Sequence, residues 1–228
     1  PPDEVLREAT QLVVRRSLFP GHPRFWGYVI GAPAPLGVLG DLLAAGVNPN
    51  VGAWPIAPIA TAIEQQTVRW MGELLGYPAG DGLLVSGGNM ANFVGFLAGR
   101  RAKASADVRA EGIDDKRLRV YCSTETHTWI QKAADMFGLG TSAIRWIETD
   151  EEQRMRVDSL RDAIATDREA GATPFLVVGA AGTISTGAVD PLTELRAVCD
   201  EKDLWFHVDG AYGGFAACLA DAAPDLQA

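Results

Sequence analysis

A chain of 228 residues with 47% apolar and 21% charged residues can bury an ordinary globular core and suits one large α/β domain. Its net charge of −9, with no compensating block of lysine or arginine, excludes a basic nucleic-acid surface. The longest apolar run, residues 175–181, is far too short to cross a bilayer, and no charged-then-apolar leader opens the chain. Cys122, Cys199 and Cys218 lie far apart, in no metal-like or redox-like spacing, so they are expected to be reduced, mostly buried thiols. No metal site is expected, and a cytoplasmic location is.

Residues 20–58 are rich in proline, glycine and aromatics (HPRFWGY, GAPAPLG, NPNVGAWPIAP), which predicts irregular structure with one helix near 37–45. A stretch of that kind lines a site or an interface, or simply packs as a loop. Ile59, Ile63, Trp70, Met71, Leu74 and Leu75 then recur at helical spacing, predicting an amphipathic helix over 60–75 that Gly76 and Pro78 end. Strands and helices alternate from there. The pattern predicts a strand over 83–86, a helix over 89–103, a strand over 118–122, a helix over 127–137 and a strand over 143–147. Asp158 is expected to cap a helix reaching residue 170, with Leu160, Ala163 and Ile164 on its inner face. A strand over 175–180, a helix over 191–202 and a strand over 204–208 complete the alternation. Near-continuous apolar strands between helices imply an α/β fold with a mainly parallel sheet covered on both faces. Ligands of such sheets bind in the loops at the carboxyl ends of the strands.

Four loops carry chemistry. In SGGNMAN (86–92) two glycines open a helix, so its free N–H groups and the amide of Asn89 offer a seat for a phosphate; a plain tight turn explains the pair as well. His127 follows a strand end and opens a helix, where its flat ring could stack on an aromatic cofactor or simply be a satisfied surface imidazole. The segment AGTISTG (181–187) supplies small and hydroxylated residues ahead of the helix-opening pair Asp190–Pro191, and a simple loop accounts for it too. In WFHVDGAYGG (205–214) an apolar strand ends on Asp209 and turns through glycine and alanine. A carboxylate buried at the end of a central strand needs donors or a cation, and a protonated pyridine nitrogen is one. The alternative is an ordinary capping or loop aspartate.

Taken together, HPRFWGY (22–28), ATAIEQQTVRWMGELLGYP (60–78), SGGNMAN, AGTISTGAVDPL (181–192) and WFHVDGAYGG resemble, in order and spacing, the group II decarboxylases that depend on pyridoxal phosphate (PLP). This family includes the aromatic-L-amino-acid and glutamate decarboxylases, and the similarity covers nearly the whole chain. It implies the large domain of a PLP-dependent transferase-like fold (fold type I). It also implies PLP as cofactor and decarboxylation of an L-amino acid to the amine and carbon dioxide, an aromatic substrate being favoured and a glutamate-like one open. Another fold type I reaction (transamination, carbon–carbon or carbon–sulfur cleavage) or a non-catalytic homologue remains the alternative, because fold alone does not choose.

By the same resemblance, Gly88 and Asn89 hold the cofactor phosphate, His127 stacks on the ring and assists proton transfer, and Asp209 pairs with the ring nitrogen. Ala211 packs beside the ring, and Thr183 joins the cofactor-binding set. Tyr28 and Trp54 fall where the family lines its substrate pocket across a homodimer interface. Residues 1–58 would thus form an N-terminal segment for pocket and dimer, and residues 59–228 an incomplete PLP-binding domain that continues. Asn89 stands for a more usual Ser or Thr, and Ile184 for a frequent threonine. The Schiff-base lysine is expected beyond Ala228, because Lys103, Lys116, Lys132 and Lys202 lie on helices or in a polar connection. No nucleic acid and no membrane are expected as partners.

Overall fold

In a computed structural model, residues 1–77, 81–104, 108–113 and 117–227 are described; Pro78 and Lys116 lie outside them. The chain divides into two compact units, Pro1–Thr61 and Ala62–Ala228.

The first unit holds α1 (Pro2–Arg16), α2 (Pro35–Val47) and the start of α3 (Pro58–Leu74). α1 shows ordinary helix signals: a proline in the first turn, Asp3 and Glu4 beside the positive dipole end, and Arg15 and Arg16 beside the negative one. α2 spans the helix expected near 37–45 and ends on Asn48 in the left-handed region (φ 45°). Neither α1 nor α2 has a buried residue.

The second unit contains α4 (Gly88–Lys103), α5 (Val108–Glu111), β1 (Leu118–Ser123), α6 (Trp129–Met136), β2 (Ile144–Ile147), α7 (Val157–Glu169), β3 (Thr173–Ala180), α8 (Leu192–Lys202), β4 (Trp205–Asp209) and α9 (Pro224–Gln227). The four strands form one parallel sheet in the order β2-β1-β3-β4. Side chains alternate across it. Val120, Cys122, Leu176 and Val178 point to a layer with Phe93, Phe96, Trp129 and Ile130 of α4 and α6. Tyr121 and Val177 point the other way, onto Leu160 and Ile164 of α7 and Leu195 and Val198 of α8. Both faces are therefore covered, as the sequence pattern requires. Each fully buried side chain of this size contributes roughly 1.5–3 kcal/mol of transfer free energy.

Three local features differ from the sequence reading. Residues 83–86 are not a strand: Leu83 and Leu84 are exposed, the Leu84 N–H donates to Glu64 Oε1 (2.9 Å), and Gly87 N–H folds back on the Val85 carbonyl (2.8 Å). A short apolar run without a neighbouring strand has no ladder to join. Asp158 lies inside the first turn of α7 and not at its cap, held by Arg156 and by its neighbour's N–H, while Arg156 takes the cap position. Cys122 and Cys199 are buried, and burial pushes both thiols up to about 12, but Cys218 is exposed.

From β1 the chain moves outward to β2 through α6 on one face; from β3 it moves outward to β4 through α8 on the other. Between β1 and β3 lies the point where the winding reverses, and the loops leaving these strands, 124–128 and 181–191, flank it. Helix α4 lies against β4 without side chains at two positions. A Cβ on Gly95 would stand 2.4 Å from the His207 ring, and one on Gly99 would stand 2.8 Å from Trp205. Backbone contact of this kind requires glycine. Among the described residues no helix is long and apolar enough to cross a membrane, and no group of side chains could hold a metal.

Candidate active site

Four segments of the second unit converge at the carboxyl ends of β1, β3 and β4. The first is the start of α4. Gly87 occupies its cap with φ 93°, a left-handed value open to glycine, and no side chain caps the first turn. The first N–H groups of α4 therefore remain available, with the positive end of the helix dipole, to an anion. The side chain of Asn89 is exposed beside them. A Cβ on Gly88 would lie 3.2 Å from the Ala211 Cβ, so this turn and the loop after β4 nearly touch.

The second is the end of β4. Asp209 is half-buried, and its Oδ2 accepts the indole N–H of Trp129 at 2.7 Å, while Oδ1 accepts the Ala211 N–H at 3.2 Å. No cation among the described residues pairs with it. The sequence reading expected a buried acid at the end of a central strand; among the described strands β4 is outermost, and the carboxylate is half-buried. Two residues earlier, on the same face, His207 Nε2 bonds Asn92 Oδ1 at 2.7 Å. An amide oxygen only accepts, so Nε2 carries the proton. Burial lowers the pKa of His207 and the Asp209 charge opposes that shift, so the neutral ring is favoured. Trp129 meets this ring edge-on, with centroids 5.6 Å apart.

The third is the turn after β1. His127 is half-buried and lies two residues before α6, so it does not open the helix as expected. Its Nδ1 accepts the Trp129 backbone N–H at 3.2 Å, which leaves Nε2 as the N–H of the neutral ring. The fourth is the loop after β3. Thr183 is buried with its hydroxyl on Thr186 Oγ1 (2.8 Å), whereas Ile184 is exposed. This loop is laced to the one after β4: Ala181 N–H donates to the Asp209 carbonyl (2.9 Å), and Gly213 N–H donates to the Ala181 carbonyl (2.9 Å). Gly213 has no room for a side chain, since a Cβ would stand 2.4 Å from that carbonyl oxygen. Asp190 is fully buried, accepting the N–H groups of Met155 (2.7 Å) and Ala180 (2.8 Å), and burial raises its pKa. It staples the loop to the sheet and does not itself cap α8, whose cap is Pro191.

Gly88, Ala211 and Asp209 are thus neighbours, and Trp129 links His127 to Asp209. Tyr28 and Trp54 belong to the first unit, where both side chains are exposed. Sequence reasoning passed over Trp129 and Asn92, and read Asp190 as a helix-opening residue where it is a buried staple. The polar residue inside SGGNMAN was a usable signal for Asn92, but nothing local marks Trp129.

The arrangement suits PLP. An uncapped helix start seats a phosphate, and a half-buried carboxylate bonded only by N–H groups can receive a protonated ring nitrogen. Residues 2–222 match the pyridoxal-dependent decarboxylase conserved domain. The chain is 38% identical over 227 residues to the aromatic-L-amino-acid decarboxylase of Bacillus atrophaeus, which covers 99% of this chain and 46% of that protein. It is also 38% identical over 213 residues to the 4-hydroxyphenylacetaldehyde synthase of Rhodiola rosea, covering 90% of this chain and 42% of that protein. The crystal structure of the glutamate decarboxylase domain of a diaminobutyrate-pyruvate transaminase and L-2,4-diaminobutyrate decarboxylase from Vibrio parahaemolyticus superimposes with a TM-score of 0.91 at 29% identity. That match covers 100% of this chain and 51% of that one. The chain therefore spans about half the length of the relatives it matches. The parallel sheet and the motifs at its strand ends belong to a fold type I domain, and the chain is a member of the pyridoxal-dependent decarboxylase family.

Proposed function

We propose that the protein containing this chain is a PLP-dependent amino-acid decarboxylase that releases carbon dioxide from an L-amino acid and leaves the amine. The observation that carries this reading is Asp209, a carboxylate at a strand end, fixed by two N–H donors and met by no cation among the described residues. PLP supplies an electron sink for the pair left on the α-carbon when carbon dioxide departs. Asp209 keeps the ring nitrogen protonated, which strengthens that sink. Gly88 and Asn89 bind the phosphate through the α4 N–H groups and the Asn89 amide. His127 stacks on the ring and, with Nδ1 occupied, presents Nε2–H as its proton-bearing atom. Ala211 keeps the space beside the ring small, and Thr183 shapes the loop next to it.

An aromatic substrate is favoured, supported by the relative from Bacillus atrophaeus and by Tyr28 and Trp54 as pocket residues. We assign the protein to a cytoplasmic homodimer, with residues 1–58 serving the interface and residues 59–228 the cofactor. A second outcome is favoured by one observation: the equal identity to a plant aldehyde synthase makes an aldehyde product the competing reading. Both are tested on the full-length protein, loaded with PLP and offered aromatic and acidic L-amino acids. Carbon dioxide and amine in equal amounts are expected, with the highest kcat/KM for an aromatic substrate. Aldehyde in place of amine would transfer the protein to the second reading. Asp209→Ala is expected to lower turnover by several orders of magnitude, and turnover near wild type would sink the assignment.

A further inference from the structure

We infer that Trp129 is the positioning residue of this site, holding Asp209 in the orientation in which it meets the cofactor ring. The inference rests on the assignment of Asp209 as the partner of the ring nitrogen.

Trp129 is fully buried at the first position of α6, immediately after the turn that leaves β1. Both of its N–H groups go to the site. The backbone N–H donates to His127 Nδ1 at 3.2 Å, and the indole Nε1–H donates to Asp209 Oδ2 at 2.7 Å. Its ring also meets His207 edge-on, at an interplanar angle of 76°. An indole N–H has one hydrogen and no acceptor capacity, so once buried it needs a single acceptor in a fixed direction. A tryptophan serving only to fill the core finds a backbone carbonyl equally well. This one selects a carboxylate 80 positions along the chain, at the end of β4.

Full burial in the same apolar cluster as Phe93, Ile130 and Val178 keeps the indole from following Asp209 if the carboxylate turns. With Oδ2 held at 2.7 Å and Oδ1 touched only by the longer bond from Ala211, the carboxylate plane is fixed and Oδ1 is the oxygen left for a cation. The same residue fixes the tautomer of His127. One residue on a rigid helix thus touches two groups that the sequence separates widely, Asp209 through its indole and His127 through its backbone N–H.

The test uses the full-length protein loaded with PLP labelled with nitrogen-15 in the ring. Trp129→Phe keeps an aromatic ring and removes Nε1–H. It is expected to weaken PLP binding about tenfold, the low end for a hydrogen bond to a charged group. It is also expected to move the ring-nitrogen resonance toward the unprotonated position at a given pH. A purely space-filling role would alter thermal stability and leave that resonance in place. Asp209→Asn is the control. If it moves the resonance and Trp129→Phe does not, the inference falls while the role of Asp209 stands; if neither moves it, both fall. A second measurement keeps Trp129 intact, so it does not depend on the Phe variant folding. In Asp209→Ala, one indole N–H signal should shift and exchange faster with solvent. No response from any indole signal would overturn the inference.

Discussion

His207 is where a single residue links stability to the site. Its ring fills the gap opposite Gly95, its Nε2–H is committed to Asn92, and burial favours its neutral form. Its folded pKa therefore lies below the 6.5 of a free imidazole, so the unfolded chain takes up a proton first as pH falls. The stabilisation is complete above about pH 6.5 and is lost as pH drops through the folded value, by at most about 1.4 kcal/mol per pH unit. Urea unfolding midpoints should thus fall between pH 7.5 and 5.5, and His207→Gln should flatten that part of the slope. An unchanged slope in the variant would assign the acid sensitivity to other groups. At this scale the sequence showed much of the site: an apolar strand ending on Asp209 is a local pattern, and a glycine pair before a helix is another. It could not show Trp129, because a contact between residues so far apart depends on β1 and β4 being brought to the same end of one sheet.

At the scale of elements, the apolar pattern located α4, α7, β1 and β3 because each buries a continuous or alternating apolar face, and β4 although its residues are only half-buried or exposed. It failed at 83–86, where Leu83 and Leu84 look like a strand but meet solvent and a side-chain acceptor. The start of α4 carries a direct prediction. Gly88→Val places branched carbon where Ala211 already stands 3.2 Å from a Cβ, and it hinders approach to the first N–H groups. PLP titration of the apoprotein should show affinity lowered at least tenfold, with the sheet's circular dichroism retained; unchanged affinity would remove this turn from the site. Asp190 offers a test of the neighbouring loop. Asp190→Asn sets an amide donor against one of two buried N–H groups, at a cost of about 1–3 kcal/mol in unfolding free energy. A variant as stable as wild type in a urea titration would show that the staple is dispensable.

At the scale of the whole molecule, the first unit differs from the second in what it leaves uncovered. Leu36, Leu39 and Leu43 of α2 share one helical face and are each more than half exposed, as are Val5, Leu6 and Leu12 of α1. Apolar faces of this kind are usually covered by a partner. If the homodimer proposal holds, Leu39→Asp combined with Leu43→Asp in the full-length protein should shift sedimentation from dimer to monomer; a persisting dimer would move the interface elsewhere. The sequence could not separate these leucines from core residues, because periodicity reports an apolar face and not what covers it. The glycines of α4 have a different reach. Two residues of β4 advance about 6.6 Å and four residues of α4 about 6 Å, so Gly99 opposite Trp205 and Gly95 opposite His207 keep helix and strand in step along their length. One more step brings the first turn of α4 level with Asp209. The two anchor points of the proposed cofactor, at its phosphate and its ring nitrogen, then lie side by side across the helix–strand seam, and the distance between them is set by how closely the glycines let α4 approach β4.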